Sequence, residues 1–272
     1  MDNENLQDIP AARKVFILNY IQTHGSASIK ELSNLQNVSE ATIRRDLDEM
    51  SLEGKIDRTR GGAILHTEQS TSFEHAYNEK AKLMIDEKKA IGKFAASYIE
   101  DGDTIFLDSG TTSLQVALNI SDKKNITVIT YDLFIATSVI LDDSSTLIVT
   151  GGIRRNDFGV LTGPMVQEFL SDIRVNKVFL TADSVDINFG ISNASFHEID
   201  AKKQSIRSGR YIYLIVDHSK FGKVAMARVC HLRDVDDIIV DNGLSPDIQH
   251  ALTRENIPFT MVPVSQSPLS GL

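Results

Sequence analysis

Between residues 66 and 90 the periodicity of the chain changes, and that change limits the fold more than any other feature of the sequence. Residues 1–66 carry apolar side chains at helical spacing followed by a short alternating run, whereas beyond residue 90 β-rich runs alternate with helical stretches. No single layer pattern accommodates both, so the 272 residues divide into two domains, within the usual range of about 100–200 residues per domain. The expected boundaries are 1–66 for the first domain, 67–86 for a linker, 87–263 for the second domain and 264–272 for a loose tail. His66 to Asn78 is polar and lacks a sustained apolar period, as a linker does.

Composition removes several classes of function. The 42% of hydrophobic and 24% of charged residues are ordinary globular values. The longest apolar runs, such as Val15 to Leu18 and Tyr211 to Val216, fall far short of the roughly 20 residues that a membrane span needs. No basic stretch followed by an apolar one opens the chain, so a secretory signal is not expected and the expected location is the cytoplasm. The lone Cys230 has no intrachain partner and fits a reducing compartment. The histidines form no HxxxH or HxH pair, so no metal and no cofactor are expected. A net charge of −9 argues against coating nucleic acid by bulk electrostatics. Specific DNA binding stays open, because residues 1–66 hold 8 basic and 10 acidic side chains and most of the acidity lies beyond them.

Ala11 to Thr23 reads as a first helix stopped by His24-Gly25. Ser28-x-x-Glu31 has the form of a capping box and opens a second helix to about Leu35. Ser39 then caps a third helix to about Met50, with Val38 and Ile43 placed as a hydrophobic staple. A short helix, a tight turn and another helix make a helix-turn-helix arrangement. At about 100° per residue, Ile43, Leu47 and Met50 share one inward face. Ser39, Ala41, Thr42 and Arg45 are left outward near the helix start, where a major groove is entered, and Arg44 on the flank suits a phosphate. Arg45 has the fork that pairs with guanine, and Thr42 suits a base edge or a thymine methyl. Lys55, Arg58 and Arg60 lie on an alternating run with Gly61-Gly62, which reads as a hairpin wing whose cations neutralise phosphates. The competing reading is a small helical bundle with a solvated charged face.

The run Ser28-Ile-Lys-Glu-Leu32, then Val38-Ser-Glu-Ala-Thr-Ile-Arg-Arg-Asp-Leu47, closing with Gly54-Lys-Ile-Asp-Arg58 and Arg60-Gly-Gly-Ala63, resembles the signature of the DeoR family of bacterial transcriptional regulators. The resemblance implies a winged helix-turn-helix ahead of an effector domain, a double-stranded DNA operator as partner, and repression of carbohydrate genes.

In the second domain, Thr104 to Leu107 is an apolar strand that runs into Asp108-Ser-Gly-Thr-Thr112 and then a helix. Glycine lets backbone approach a ligand, while helix N-terminal amides and threonine hydroxyls suit phosphate oxygens. The loop lacks the lysine of a GxxxxGK[ST] motif and the spacing of GxGxxG, so neither a nucleoside triphosphate nor a dinucleotide is indicated. Further strands at Ile126 to Thr130, Leu147 to Val149, Lys177 to Leu180 and Tyr211 to Val216 indicate a parallel or mostly parallel sheet flanked by helices. Ligands lie beyond the carboxyl ends of such strands. Asp183 and the Asp217 to Gly222 segment fall there, with Lys220 as counter-charge to a phosphate.

From Glu87-Lys-Lys-Ala-Ile-Gly92 through Thr150-Gly-Gly152 and Asp217-x-Ser-Lys-Phe-Gly222 to Asp237-Ile-Ile-Val-Asp241, this domain too resembles the DeoR-family sensor. The fold class expected is therefore an N-terminal winged helix-turn-helix plus a C-terminal α/β sensor. The sensor resembles ribose-5-phosphate isomerase, glucosamine-6-phosphate deaminase and CoA-transferase folds, with a phosphorylated sugar as effector. By that resemblance Asp108, Gly110, Thr111, Thr112, Gly151, Gly152, Lys202, Asp217 and Lys220 are effector-binding candidates. Tyr131 stands where the family commonly has Asn, a change that could narrow the pocket. Simpler readings stand beside these: Glu198 and Lys202 as a surface i, i+4 ion pair, Gly151-Gly152 as a turn, Asp217 as a cap.

The functional expectation is a sequence-specific DNA-binding regulator, in a homo-oligomer and off the membrane, with no enzymatic activity. The alternative is a phosphosugar isomerase, deaminase or CoA-transferase-like enzyme built on Asp183, Glu198 and Asp217, since acid–base chemistry needs placed carboxylates.

Overall fold

The computed structural model describes residues 10–24, 26–52, 55–59, 61–65, 77–155 and 158–264. The chain forms two compact units, residues 1–70 and residues 71–272. The polar stretch 66–76 expected as linker, Arg60 and the tail 265–272 lie outside the described residues.

The first unit runs α1 (Pro10–His24), β1 (Ser26–Ser28), α2 (Ile29–Gln36), α3 (Glu40–Leu52), β2 (Ile56–Thr59) and β3 (Gly62–Leu65). The Ser28–Glu31 capping box forms with both reciprocal bonds, satisfying amides that open α2. Asn37 ends α2 in the left-handed conformation at φ 50°, and so makes the tight turn into α3. Ser39 accepts from the Thr42 amide at 3.1 Å as the N-cap of α3. Ile43, Leu47 and Met50 are buried with Ile17, Ile21, Leu32 and Ile56 in one core, and Val38 packs against it. The hairpin wing is the antiparallel pair β2–β3, and β1 adds to it in the order β1-β3-β2. Sequence periodicity gave no sign of β1, whose Ser-Ala-Ser is too short and polar to read as a strand. It explains Gly62, because a Cβ there would lie 1.9 Å from the Ala27 carbonyl oxygen.

The second unit is built on a seven-stranded parallel sheet in the order β15-β14-β12-β9-β4-β5-β6. Before it come α4 (Tyr77–Lys82) and α5 (Ile85–Ala96). Then follow β4 (Thr104–Leu107), α6 (Thr111–Ala117), β5 (Thr127–Thr130), α7 (Leu133–Ser138) and β6 (Thr146–Val149). A hairpin of β7 (Ile153–Arg155) and β8 (Val160–Thr162) leads to α8 (Pro164–Ser171) and β9 (Val175–Leu180). After β10 (Ser184–Asp186) and β11 (Gly190–Asn193) come α9 (Ile199–Ser208) and β12 (Gly209–Ile215). The unit closes with β13 (Ala227–Cys230), β14 (Asp237–Asp241), α10 (Pro246–Arg254) and β15 (Phe259–Val262). β10, β11 and β13 form a separate antiparallel sheet.

Strand residues alternate between the two faces, which is why the sheet carries two cores. Ile105, Leu107 and Phe179 pack with α5, α6 and α7, whereas Phe106, Val178 and Leu180 pack with α8 and α9. The chain runs outward from β4 to β5 and β6 on one side and from β9 to β12 and β14 on the other, so strand order reverses between β4 and β9. A reversal of this kind opens a crevice at the carboxyl ends of the strands.

Candidate functional site

On the first unit the outward face of α3 is the candidate nucleic-acid interface. Ser39, Ala41, Arg44 and Arg45 are exposed and Thr42 is half-buried. Lys55 is exposed at the entry to the wing. Arg45 carries an 83% exposed side chain whose Nε donates to Glu49 at 3.3 Å. Arg44 donates from a terminal nitrogen to Glu40 at 3.3 Å. Arg58 behaves differently from the expected phosphate ligand. Its side chain is 11% exposed, with Nε donating to Asp48 at 2.9 Å and a terminal nitrogen to the Gly62 carbonyl at 2.8 Å. Those bonds fasten the wing to α3, so its fork is spent on structure.

Two neighbouring cations of α1 fix α3 from behind. Arg13 makes a two-bond ion pair with the buried Asp46, and Lys14 pairs with Glu49. Asp46 lies three residues after Ile43 and four before Met50, on the inward face, and a buried carboxylate requires a partner of opposite charge. That signal was in the sequence and went unread.

On the second unit, an open cleft occupies the crevice beyond β4, β5 and β9. Four expected effector residues line it: Gly110, Thr111, Thr112 and Lys220. Gly110 sits at φ 135°, a conformation closed to most side chains, just before the first turn of α6. The Gly110 amide donates to Asp132 at 3.1 Å.

Lys80 and Lys88, from the helices that precede the sheet, join Lys220 in the wall. Sequence reasoning missed both, although Lys88 stands at inward helical spacing from Ile91, Gly92 and Ala95. Burial pushes the Lys88 ammonium down to about 8, and the nearby Lys220 charge pushes the same way. Asp183 pairs with Lys80 at 2.7 Å and accepts from the Ala194 amide at 3.0 Å. Burial alone would raise its carboxyl, but the Lys80 and Lys220 charges prevail and hold it well below the usual range. Asp132 is raised to about 6 by burial, against the amides of Ile135, Gly110 and Phe134 that favour its ionised form. Two buried polar atoms in this wall, the Tyr77 hydroxyl and the Asn193 Oδ1, have no hydrogen-bond partner, an arrangement that a hydroxyl-bearing ligand would satisfy. The cleft therefore combines three lysines, threonine hydroxyls and helix-start amides with two unpaired polar atoms. That chemistry suits a phosphate joined to a polyhydroxy body.

The remaining expected effector residues do not line the cleft. Asp108 and Lys202 form a fully buried ion pair, in which Asp108 also accepts from the Tyr131 hydroxyl and from the Thr181 amide and hydroxyl at 2.8 and 2.9 Å. The cluster ties the end of β4 to that of β9 and so supports the loop from behind. Lys202 thus lies outside the cleft lining and does not pair with Glu198 at the surface; Glu198 instead bonds Ser109 at 2.8 Å and Arg155 at 3.1 Å. Tyr131 is fully buried in the same cluster and does not narrow the cleft. Gly151 and Gly152, at φ 72° and 122°, make the turn from β6 to β7; a Cβ on Gly152 would meet the Thr162 carbonyl at 2.8 Å. Asp217 is buried and caps the turn at His218–Lys220 by accepting from the Ser219 amide at 3.1 Å.

The sequence matches the DeoR C terminal sensor domain over residues 83–242 and the DeoR-like helix-turn-helix domain over residues 13–69. It is 33% identical, over 94% of this chain and 98% of the relative, to an HTH-type transcriptional regulator of Bacillus subtilis (strain 168) named YulB and described as uncharacterized. It is 30% identical, over 90% of this chain and 96% of the relative, to the glycerol-3-phosphate regulon repressor of Escherichia coli (strain K12). Among solved structures, ribose 5-phosphate isomerase from Plasmodium falciparum aligns with a TM-score of 0.35 and 17% identity, over 50% of this chain and 52% of that one.

Proposed function

The chain belongs to the DeoR family of transcriptional regulators, and on that premise we propose that it represses carbohydrate-metabolism genes under the control of a phosphorylated sugar or related metabolite. It acts in the cytoplasm as a homo-oligomer, because closed symmetric assemblies are the common case and two recognition helices reach two half-sites of an operator. The observation that carries the effector reading is the meeting of Lys80, Lys88 and Lys220 with the Gly110–Thr112 loop in one cleft. The same cleft speaks against turnover. Asp183 is held by Lys80, Glu198 by Arg155 and Ser109, and Asp217 is committed to a cap. Each of the three carboxylates considered for acid–base chemistry is thus engaged by a structural partner. The name of the Escherichia coli relative points to glycerol 3-phosphate as one ligand to try.

The effector reading is tested by calorimetry and thermal shift of the full chain with a panel of sugar phosphates, glycerol 3-phosphate, inorganic phosphate and the matching neutral sugars. A phosphorylated ligand at about 100 times its Kd should stabilise the protein by roughly 2.7 kcal/mol, while the neutral sugars should leave it unchanged. The pH dependence follows from Lys88. An anion beside it favours the charged ammonium, so the bound pKa lies above the free value of about 8. Affinity is then fully present below that value and falls as pH rises through it. Because a phosphate ester is already a dianion there, its second pKa being near 6, the fall reports the protein. Between pH 7 and pH 9 it should amount to about tenfold. Stabilisation by neutral sugars equal to that by their phosphates would refute this reading.

A further inference from the structure

We propose that Glu49 is a positioning residue for base recognition: anchored by Lys14 of α1, it holds Arg45 through Nε and so presents the two terminal nitrogens of that guanidinium, end on, to a guanine. The inference rests on the reading that α3 enters a DNA groove.

The three arginines of α3 and the wing differ in which nitrogen is engaged. Arg58 spends Nε and one terminal nitrogen on Asp48 and Gly62, and Arg44 spends a terminal nitrogen on Glu40. Of the three, Arg45 alone keeps both terminal nitrogens, and its side chain is the one that projects furthest into solvent. Guanine offers two acceptors, O6 and N7, on its major-groove edge, and they match a pair of donors on one guanidinium. An isolated i, i+4 ion pair at the surface would do little to fix such a long side chain. Glu49 is not isolated, because the half-buried Lys14 pairs with its other oxygen from across the helix interface. One position earlier on α1, Arg13 clamps Asp46 in the same way. Lys14 is the largest influence holding the Glu49 carboxyl below its usual range. A side chain held this way loses less freedom on binding, and the saving is realised only where a guanine meets the fork.

The test is selection from a randomised duplex library, read by sequencing, with the full chain and its Arg45→Lys, Glu49→Gln and Lys14→Met variants. Wild type should enrich a motif with a strongly preferred guanine, at roughly 5- to 150-fold over other bases, the range for one two-bond arginine contact. Arg45→Lys, which keeps the charge but loses the planar fork, identifies that position by weakening the preference there. Glu49→Gln and Lys14→Met should weaken preference at the same position by at least about threefold while leaving the rest of the motif intact. A merely structural role would lower enrichment at all positions alike, and that outcome overturns the proposal. So does an unaltered guanine preference in Glu49→Gln. Circular dichroism checks folding, and if Glu49→Gln is unfolded then Lys14→Met decides. Failure of wild type to enrich any motif removes the DNA-binding reading itself, a result distinct from those two.

Discussion

Replacing Lys202 with methionine should destabilise the sensor unit by about 3–5 kcal/mol, the cost of leaving a buried charge without its partner. The pair is inaccessible to solvent on both sides, so no water compensates the Asp108 carboxylate when the ammonium is removed. Lys202 also donates to the Thr181 carbonyl at 3.2 Å, and the same Thr181 donates twice to Asp108. One substitution therefore unsettles the junction of β4 and β9 on which the Gly110–Thr112 loop rests. For a unit of this size the loss corresponds to a fall in Tm of roughly 6–20 °C. Adding Asp108→Asn to Lys202→Met should recover part of the stability, since the neutral amide still accepts from Thr181 and carries no orphaned charge. Equal denaturation midpoints for wild type and Lys202→Met would show that the pair is not the strut described above.

The second large effect is on DNA. Alanine at both Thr42 and Arg45 removes the two side chains proposed to read bases while leaving the core residues Ile43 and Leu47 in place. A two-bond arginine–guanine contact contributes about 1–3 kcal/mol of discrimination. For the proposed homo-oligomer, in which two recognition helices share one operator, specific affinity should drop by roughly 30-fold to 10⁴-fold. Binding to random duplex should change far less, because the phosphate contacts proposed for Arg44 and Lys55 would remain. The salt dependence, close to −0.9 in log-log slope for each neutralised phosphate, should change little, because neither side chain is proposed to meet a phosphate. A gel-shift titration on the protein's own upstream region, at fixed salt and against random competitor, checks this.

Much of this was legible from local pattern, and what was not has a common cause. The facing of α3 followed from the spacing of Ile43, Leu47 and Met50, and the strand-turn-helix of β4 and α6 followed from an apolar strand running into Asp108-Ser-Gly-Thr-Thr112. Both are local signals, fixed within a turn or a strand. The errors concern partners distant along the chain. Lys202 meets Asp108 across 94 residues, and Lys80 meets Asp183 across 103. Neither pairing leaves a mark on spacing. Arg58 read as a phosphate ligand because its attachment to Asp48 depends on how the wing folds back on α3. The small elements α4, β1, β7 and β8 were missed for another reason: each is stabilised by what it packs or pairs against, and a run of three to six residues has little periodicity of its own. Asp46 and Lys88 are the instructive cases, since each is a charge at an inward helical position and the need for a partner or a ligand could have been deduced.

An anion held in the sensor cleft is expected to alter the grip of α3 on DNA. Operator affinity measured with and without a saturating sugar phosphate, for wild type and for Lys88→Met, tests it most directly. Coupling of the usual size, about 1–3 kcal/mol, predicts a change of roughly 5- to 150-fold in wild type that is lost when the lysine is removed. Identical operator affinities in wild type, under conditions where calorimetry shows the cleft to be filled, would contradict it.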